Sequence, residues 1–305
     1  MAQISQSLNE SIYEKQSSPL LIQCFFAQRR YYTYAKIISG LYFCVCVFLV
    51  CIFAVLEATS NSDIIGGLSL TLSVVTVFAP SIAKKHSSKM KRIAAEIQQY
   101  IDTSLYSDNP YKKTNQRWHC PLNKHQINEL VVNFPKKGFT IDDKWYEDYS
   151  TKQYWEQIYF CQKENIRWDE NLRKKYCILC NSVLTIIVTT VLVLSQIFNP
   201  TILKALRFAP WGLPFILYMI SFNEHMKKDK ERMNQINHKA NSILNALQTC
   251  NADQALIRES ALQDLLFEHR KQVLLIPDAF YRICRSKQQR NEERIAKSEE
   301  KDSIQ

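Results

Sequence analysis

Two sets of residues in this chain have types and spacings that could do chemistry, and neither resembles the active site of an enzyme. The first is Trp145, Tyr146, Lys163, Arg167, Trp168 and Arg173, with Asp169 and Lys174 among them. Aromatic faces stack on bases and guanidinium forks pair with phosphate oxygens, so these side chains are candidates for reading an anionic nucleotide or passing on its binding. The same composition anchors helices at a membrane surface. The second set is a pair of polar stripes in apolar sequence: Gly66, Ser69, Ser73 and Thr76, then Asn181, Thr185, Thr189 and Gln196. Helical steps put each series along one face. In an oligomer such a face can line a water-filled path, hydroxyls and amides replacing part of an ion's hydration. Close packing of helices is the competing use, and the preferred one for Ser69, Ser73 and Thr76. Asn181 and Gln196 turn the other stripe toward function, because an unpaired carboxamide in hydrocarbon is costly.

Catalytic motifs are missing. The chain has no G-x-x-x-x-G-K, G-x-G-x-x-G, G-x-S-x-G or H-E-x-x-H, and five glycines leave little material for a phosphate-cradling loop. Asp142 with Asp143, and Asp264 with Glu268, read as caps or solvated faces. Cys177 and Cys180 form a C-x-x-C without a second pair or a nearby His. The expectation is a protein that is not an enzyme, with no catalytic residues, no metal site and no cofactor.

Four apolar runs must position these residues: 37–56, 64–83, 176–198 and 206–222. A helix rises ~1.5 Å per residue, so the first three match the roughly 30 Å hydrocarbon core of a bilayer. The fourth carries Arg207, Pro210 and Pro214 and reads as kinked or partly buried against its neighbours. A mean hydropathy of −0.24 hides the runs, because charged stretches dilute them. Arg29, Arg30 and Lys36 precede the first run, while Lys84, Lys85, Lys89, Lys91 and Arg92 follow the second. Arg173, Lys174 and Lys175 precede the third, and Lys227, Lys228, Lys230 and Arg232 follow the fourth. The positive-inside rule then places both termini and the middle segment in the cytoplasm. Lys204 and Arg207 dissent, and snorkelling accommodates them. Anionic headgroups facing these flanks account for most of the net charge of +10, so no nucleic acid polymer is expected as a partner. Five of the ten cysteines, Cys44, Cys46, Cys51, Cys177 and Cys180, lie in apolar runs, and the set reads as reduced thiols. The polar start of the chain argues against a cleaved signal peptide.

The expected fold class is an all-α membrane protein, four transmembrane helices in two pairs with helical cytoplasmic extensions. Residues 1–36 form a cytoplasmic N-terminal segment, with an interfacial helix over 20–36 rich in Phe and Tyr. Residues 37–83 hold transmembrane helices 1 and 2, and 176–222 hold helices 3 and 4. Between them, 84–175 is a mostly helical cytoplasmic segment. Met90, Ile93, Ile97, Tyr100 or Ile101, and Leu105 mark the apolar face of a continuing helix, 127–134 fits helix or strand, and 145–175 reads as helix. Residues 223–305 give a helical hairpin and a charged tail. Met226, Met233, Ile236, Ala240, Ile243 and Leu247 form a heptad seam that Ala261, Leu262, Leu265 and Leu266 can cover, and the tail from Ser286 reads as frayed or disordered.

Three stretches, in order around the four runs, carry a family resemblance. The first is Ala27, Gln28, Arg29, Tyr32, Ala35 and Lys36. The second is Cys161, Gln162, Asn165, Trp168, Asp169, Leu172, Arg173 and Tyr176, with Lys163 where arginine is expected. The third is Leu262, Gln263, Asp264, Arg270, Pro277, Asp278, Phe280, Tyr281 and Arg285. In these the chain resembles the SMODS-associated four-transmembrane effectors of bacterial antiphage defence, over nearly its whole length. The resemblance implies a multi-pass protein of the bacterial inner membrane, activated by a cyclic oligonucleotide second messenger. A neighbouring nucleotidyltransferase would be its functional partner. It further implies damage to the membrane by pore formation, with membrane lipid and further copies of the chain as partners. The competing expectation is a membrane sensor or scaffold that does not conduct.

The topology has a direct check. In intact cells an impermeant thiol reagent should label a cysteine placed at Asn61 and spare one at Asp302. The reverse pattern would overturn both the crossings and their orientation.

Overall fold

The structure, a computed structural model, describes residues 11–44, 52, 56, 63–107, 118–132, 145–198, 202–247 and 252–301. Eight helices lie within them, and no strand occurs among the described residues. They are α1 (Ile12–Lys15), α2 (Pro19–Cys44), α3 (Asp63–Tyr106), α4 (Lys124–Val132), α5 (Tyr154–Phe198), α6 (Ile202–Leu247), α7 (Ala252–Gln272) and α8 (Asp278–Lys301). Local chemistry sets several starts. Ser11 and Glu14 close a capping box on α1. Proline opens α2 at the first helical position, where its missing N–H costs nothing. Asn123 and Gln126 exchange side-chain bonds to each other's backbone N–H groups at the head of α4.

Three helices dominate. α3, α5 and α6 run for 44, 45 and 46 residues without a break, each joining an apolar run to a polar extension. Among the described residues no helix is long and apolar enough to cross a membrane. Much of the apolar sequence falls outside them: 45–51 and 53–55 in the first run, and the side chains of 65–66, 68–70, 72–81 and 202–217 in the second and fourth.

The polar extensions pack into a helical body with two main cores. In one, Ile97, Ile101 and Leu105 of α3, all fully buried, meet Leu21, Cys24 and Phe25 of α2, Ile127 and Val131 of α4, and Ile158 of α5. The spacing expected for the continuation of the second run is therefore real, and Ile101 rather than Tyr100 takes the inner position. In the other, Met233, Ile236, Ala240 and Ile243 of α6 face Leu262 and Leu266 of α7 and Ile166 of α5. The heptad seam is present, but α5 inserts as a third helix. Leu265 is left 38 % exposed and Ala261 also faces outward.

Two local expectations change, and one is filled in. In the 20–36 helix Phe25 and Phe26 are buried, Phe25 in the core it shares with α3. Residues 145–153 are turn and coil, held by Gln16, whose side-chain oxygen accepts from the backbone N–H groups of Trp145 and Tyr146. The tail is an ordered helix, α8. It buries Cys284, Gln288, Glu292 and Ala296 on one face, with Gln288 donating to the Trp168 carbonyl at 3.0 Å and Arg167 paired with Glu292 at 2.9 Å.

The second core is testable. Ile243→Ala removes a fully buried side chain from the α5–α6–α7 contact. It should lower the melting temperature of the purified protein by roughly 5 °C or more, corresponding to about 2–5 kcal/mol. Leu265→Ala should change it little. Equal losses would mean that the hairpin packs on a different face.

Candidate ligand site

Asp102 on α3 is 1 % exposed. A carboxylate withdrawn from water needs donors on every side, and two elements supply them, α7 and the 145–153 segment. Its Oδ1 accepts from the Tyr146 hydroxyl at 2.9 Å. Its Oδ2 accepts from Gln263 Nε2 at 2.9 Å and Arg270 Nη1 at 2.6 Å. Gln263 also donates to Gln99 and accepts from Gln162, and Asn165 donates to the Tyr146 oxygen at 2.7 Å. Burial, then the charge of Asp102, pushes the Tyr146 phenol far above its ordinary range, which keeps it a donor.

Arg270, held this way, walls a cavity of about 310 Å³. From α2 it receives Gln28, Arg29, Tyr32 and Lys36, and from α5 Asn165, Trp168, Asp169, Leu172 and Arg173. α7 adds His269, and α8 adds Asp278, Tyr281 and Arg285. Trp145 closes one side, stacked on Phe25 at 5.0 Å, and Trp168 lies 6.3 Å from Tyr281. Among these linings Gln28 Oε1, His269 Nδ1 and Arg270 Nη2 are buried polar atoms with no hydrogen-bond partner. The chemistry is therefore five basic side chains against the carboxyl groups of Glu164, Asp169 and Asp278, several aromatic faces and open hydrogen-bonding capacity, an excess of cations that suits a flat, anionic molecule.

Ion pairs tie the lining to the long helices. Arg173 donates to Asp169 at 2.7 Å, to Asp229 of α6 at 2.9 Å and to the Leu274 carbonyl at 3.0 Å. Burial opposes ionisation of Asp169, but Arg173 and His269 outweigh it and hold that carboxyl well below the usual carboxylate range. Lys36 meets Asp278 at 2.6 Å, and Thr33 donates to the same carboxylate at 3.3 Å. Lys91 of α3 donates to the Val273 carbonyl at 2.9 Å. Its own burial lowers its pKa to about 8.

The match to known proteins adds the decisive observation. The family model described as the SMODS-associating 4TM effector domain matches residues 10–299. This chain belongs to that family. It is also similar to a probable CBASS effector molecule of Bacillus cereus (strain VD146), 23 % identical over 246 residues, 78 % of this chain and 77 % of that one. No solved structure matches.

The three stretches that carry the resemblance meet here, each lending at least four residues to the lining of one cavity. Trp145, Trp168 and Arg173 from the first candidate set line it too. Tyr146 sits behind it in the Asp102 network, Lys163 donates to Asn241 at 2.9 Å, and Arg167 pairs with Glu292 and Glu299 of α8. Arg29, Lys36, Arg270, Asp278, Tyr281 and Arg285 did not stand out by composition, since they are scattered over 257 positions. Their one signal was their order in the three stretches. Along α5, Asn181, Thr185, Thr189 and Gln196 are all exposed, as are Ile178, Ile186 and Ile197. Thr185 donates to the carbonyl of Asn181 at 2.9 Å. Ser69, Ser73 and Thr76 lie on the α3 backbone, with side chains outside the described residues.

Glu164, at the back of the cavity, yields a pH prediction. Burial raises its pKa from 4.5 to about 8, against a backbone hydrogen bond from Glu147 that lowers it. Between those two values the folded chain keeps a proton that the unfolded chain gives up. Stability therefore falls as pH rises through that window, by at most ~1.4 kcal/mol per pH unit from this group. Glu164→Gln should flatten the decline of melting temperature between about pH 5 and pH 8. Parallel curves for the two proteins would mean that Glu164 is ionised throughout.

Proposed function

We propose that this chain is an inner-membrane effector of bacterial antiphage defence whose cavity binds a cyclic oligonucleotide second messenger, after which the apolar runs disrupt the membrane. One observation carries the reading. The cavity is lined mainly from α2, α5, α7 and α8, with Gln98 of α3 and Met233 of α6, and α2 and α5 continue directly into the first and third apolar runs. A ligand held by Arg29, Arg173 and Arg270 thus acts on helices that enter the bilayer. On this reading the runs at 37–56, 64–83, 176–198 and 206–222 are four crossings, the basic flanks face the cytoplasm, and no catalysis, metal or cofactor is involved. A neighbouring nucleotidyltransferase supplies the ligand.

Disruption is assigned to an oligomeric pore. The stripe of Asn181, Thr185, Thr189 and Gln196 is exposed and not covered among the described residues, and hydrocarbon is a poor solvent for carboxamides. Copies of the chain that turn this face toward a common axis give it water on one side and protein on the other. Ligand binding then favours that arrangement over the resting one.

Dye-loaded liposomes carrying the full-length protein test the reading. Addition of cyclic di- and trinucleotides should release dye for the cognate compound. Binding without release would favour the sensor or scaffold. Changing both Thr185 and Thr189 to Val keeps shape and removes two hydroxyls, so insertion and ligand binding should survive while dye release falls. Unchanged release at matched protein density would assign the stripe to packing.

A further inference from the structure

Of the ion pairs around the cavity among the described residues, the Lys36–Asp278 pair is the most open to a solute. The Arg270–Asp102 and Arg173–Asp229 side chains are almost entirely buried, whereas Lys36 and Asp278 keep 23 % and 35 % of their side-chain surface. Asp278 is the first residue of α8, a 24-residue helix whose exposed N–H groups and dipole favour an anion at that end. Besides Lys36 and Thr33, a second cation acts there. The Tyr281 phenol, one turn along α8, is raised by burial, lowered by Arg29 and raised by Asp278. Close by, Gln28, His269 and Arg270, each more than nine-tenths buried, carry the unpartnered polar atoms of the cavity. The cavity is thus furnished for a ligand that the chain does not itself supply, and one of its partly exposed cations, Lys36, is taken by a carboxylate of the chain.

We infer that Asp278 is a resident anion, occupying on Lys36 and the first turn of α8 the place of a phosphodiester of the ligand, which displaces it. This deepens the proposed function and rests on the cavity being the messenger's site. A phosphodiester and a carboxylate are both ionised at neutral pH, so the two cannot share one lysine without mutual repulsion. The phosphodiester arrives with aromatic bases that Trp145, Trp168 and Tyr281 can stack, and with groups that the open atoms of Gln28 and Arg270 can bond. Asp278 has nothing comparable to hold it.

Its displacement has somewhere to go. Residues 273–277, which lead into α8, are held by one charged side chain from each of three long helices: Lys91 of α3 on the Val273 carbonyl, Arg173 of α5 on the Leu274 carbonyl, and Asp229 of α6 on the Leu274 N–H at 2.8 Å. Asp278 adds the fourth tie, to α2. The connector is therefore a junction at which all four helices that lead into apolar runs are fastened, and the ligand competes for one fastening.

The test is calorimetric titration of the full-length protein in detergent with cyclic di-AMP, cyclic di-GMP, cyclic GMP–AMP and cyclic tri-AMP. For whichever compound the parent binds, Asp278→Asn should tighten Kd about tenfold and Lys36→Ala should weaken it about tenfold. A merely structural ion pair would make both changes act in the same direction. Should Asp278→Asn fail to accumulate, Thr33→Val removes one of Asp278's holds, spares Lys36, and should also tighten binding. If the parent binds and both changes weaken or both leave Kd unaltered, the displacement is overturned and the site stands. If the parent binds none of the four, the reading of the cavity falls and this inference with it.

Discussion

The helical body depends on keeping one carboxylate dry. Asp102 is the point at which α3, α7 and the 145–153 segment are fastened, and each fastening is a hydrogen bond to a group that is itself buried. Removing one partner of such a pair costs about 3–5 kcal/mol, because the other charge is left uncompensated in a poorly polarisable interior. An apolar replacement could pack as well. What the ionic version adds is direction: Arg270 can satisfy Asp102 in one orientation, and that orientation presents the rest of its guanidinium to the cavity. Stability of the body and readiness of the site are thus set by the same atoms.

Between the body and the apolar runs lies a collar of aromatic rings. Phe43 of α2 lies 5.0 Å from Tyr218 of α6, Tyr218 stacks with Phe222, and Tyr176 of α5 touches both Phe222 and Phe280 of α8. Such contacts contribute about 0.5–1.5 kcal/mol each beyond their buried area and prefer a few geometries. Phe280, two residues beyond Asp278, brings the start of α8 into this collar.

How much of this was legible in the sequence varied with the physics involved. Apolar periodicity marked Ile97, Ile101 and Leu105, and the seam through Ile236 and Ile243, because burial there follows helical spacing. It failed for α8. The face that helix buries carries Gln288 and Glu292, whose partners, the Trp168 carbonyl and Arg167, lie more than a hundred residues away, so no local pattern distinguished it from a solvated tail. For 20–36 it left two uses open, since Phe and Tyr beside Arg suit a headgroup layer and a helix interface equally. For the cavity, residue type found Trp145, Trp168 and Arg173. Arg29, Lys36, Arg270 and Arg285 look like ordinary surface residues until the fold brings them together, and the spacing of family motifs was the sole trace they left.

One property of α5 has a consequence of its own. The helix is unbroken from Tyr154 to Phe198, so the angle between Arg173 in the cavity wall and Asn181 in the polar stripe is fixed by counting residues. At about 100° per residue, the eight steps between them leave the two side chains roughly 80° apart around the axis. Substitutions in that interval leave the angle alone. A single inserted or deleted residue would swing everything beyond it by about 100° and shift it ~1.5 Å, while every contact on either side stayed chemically intact. The length of this stretch, more than its composition, sets the direction in which the stripe faces relative to the cavity wall.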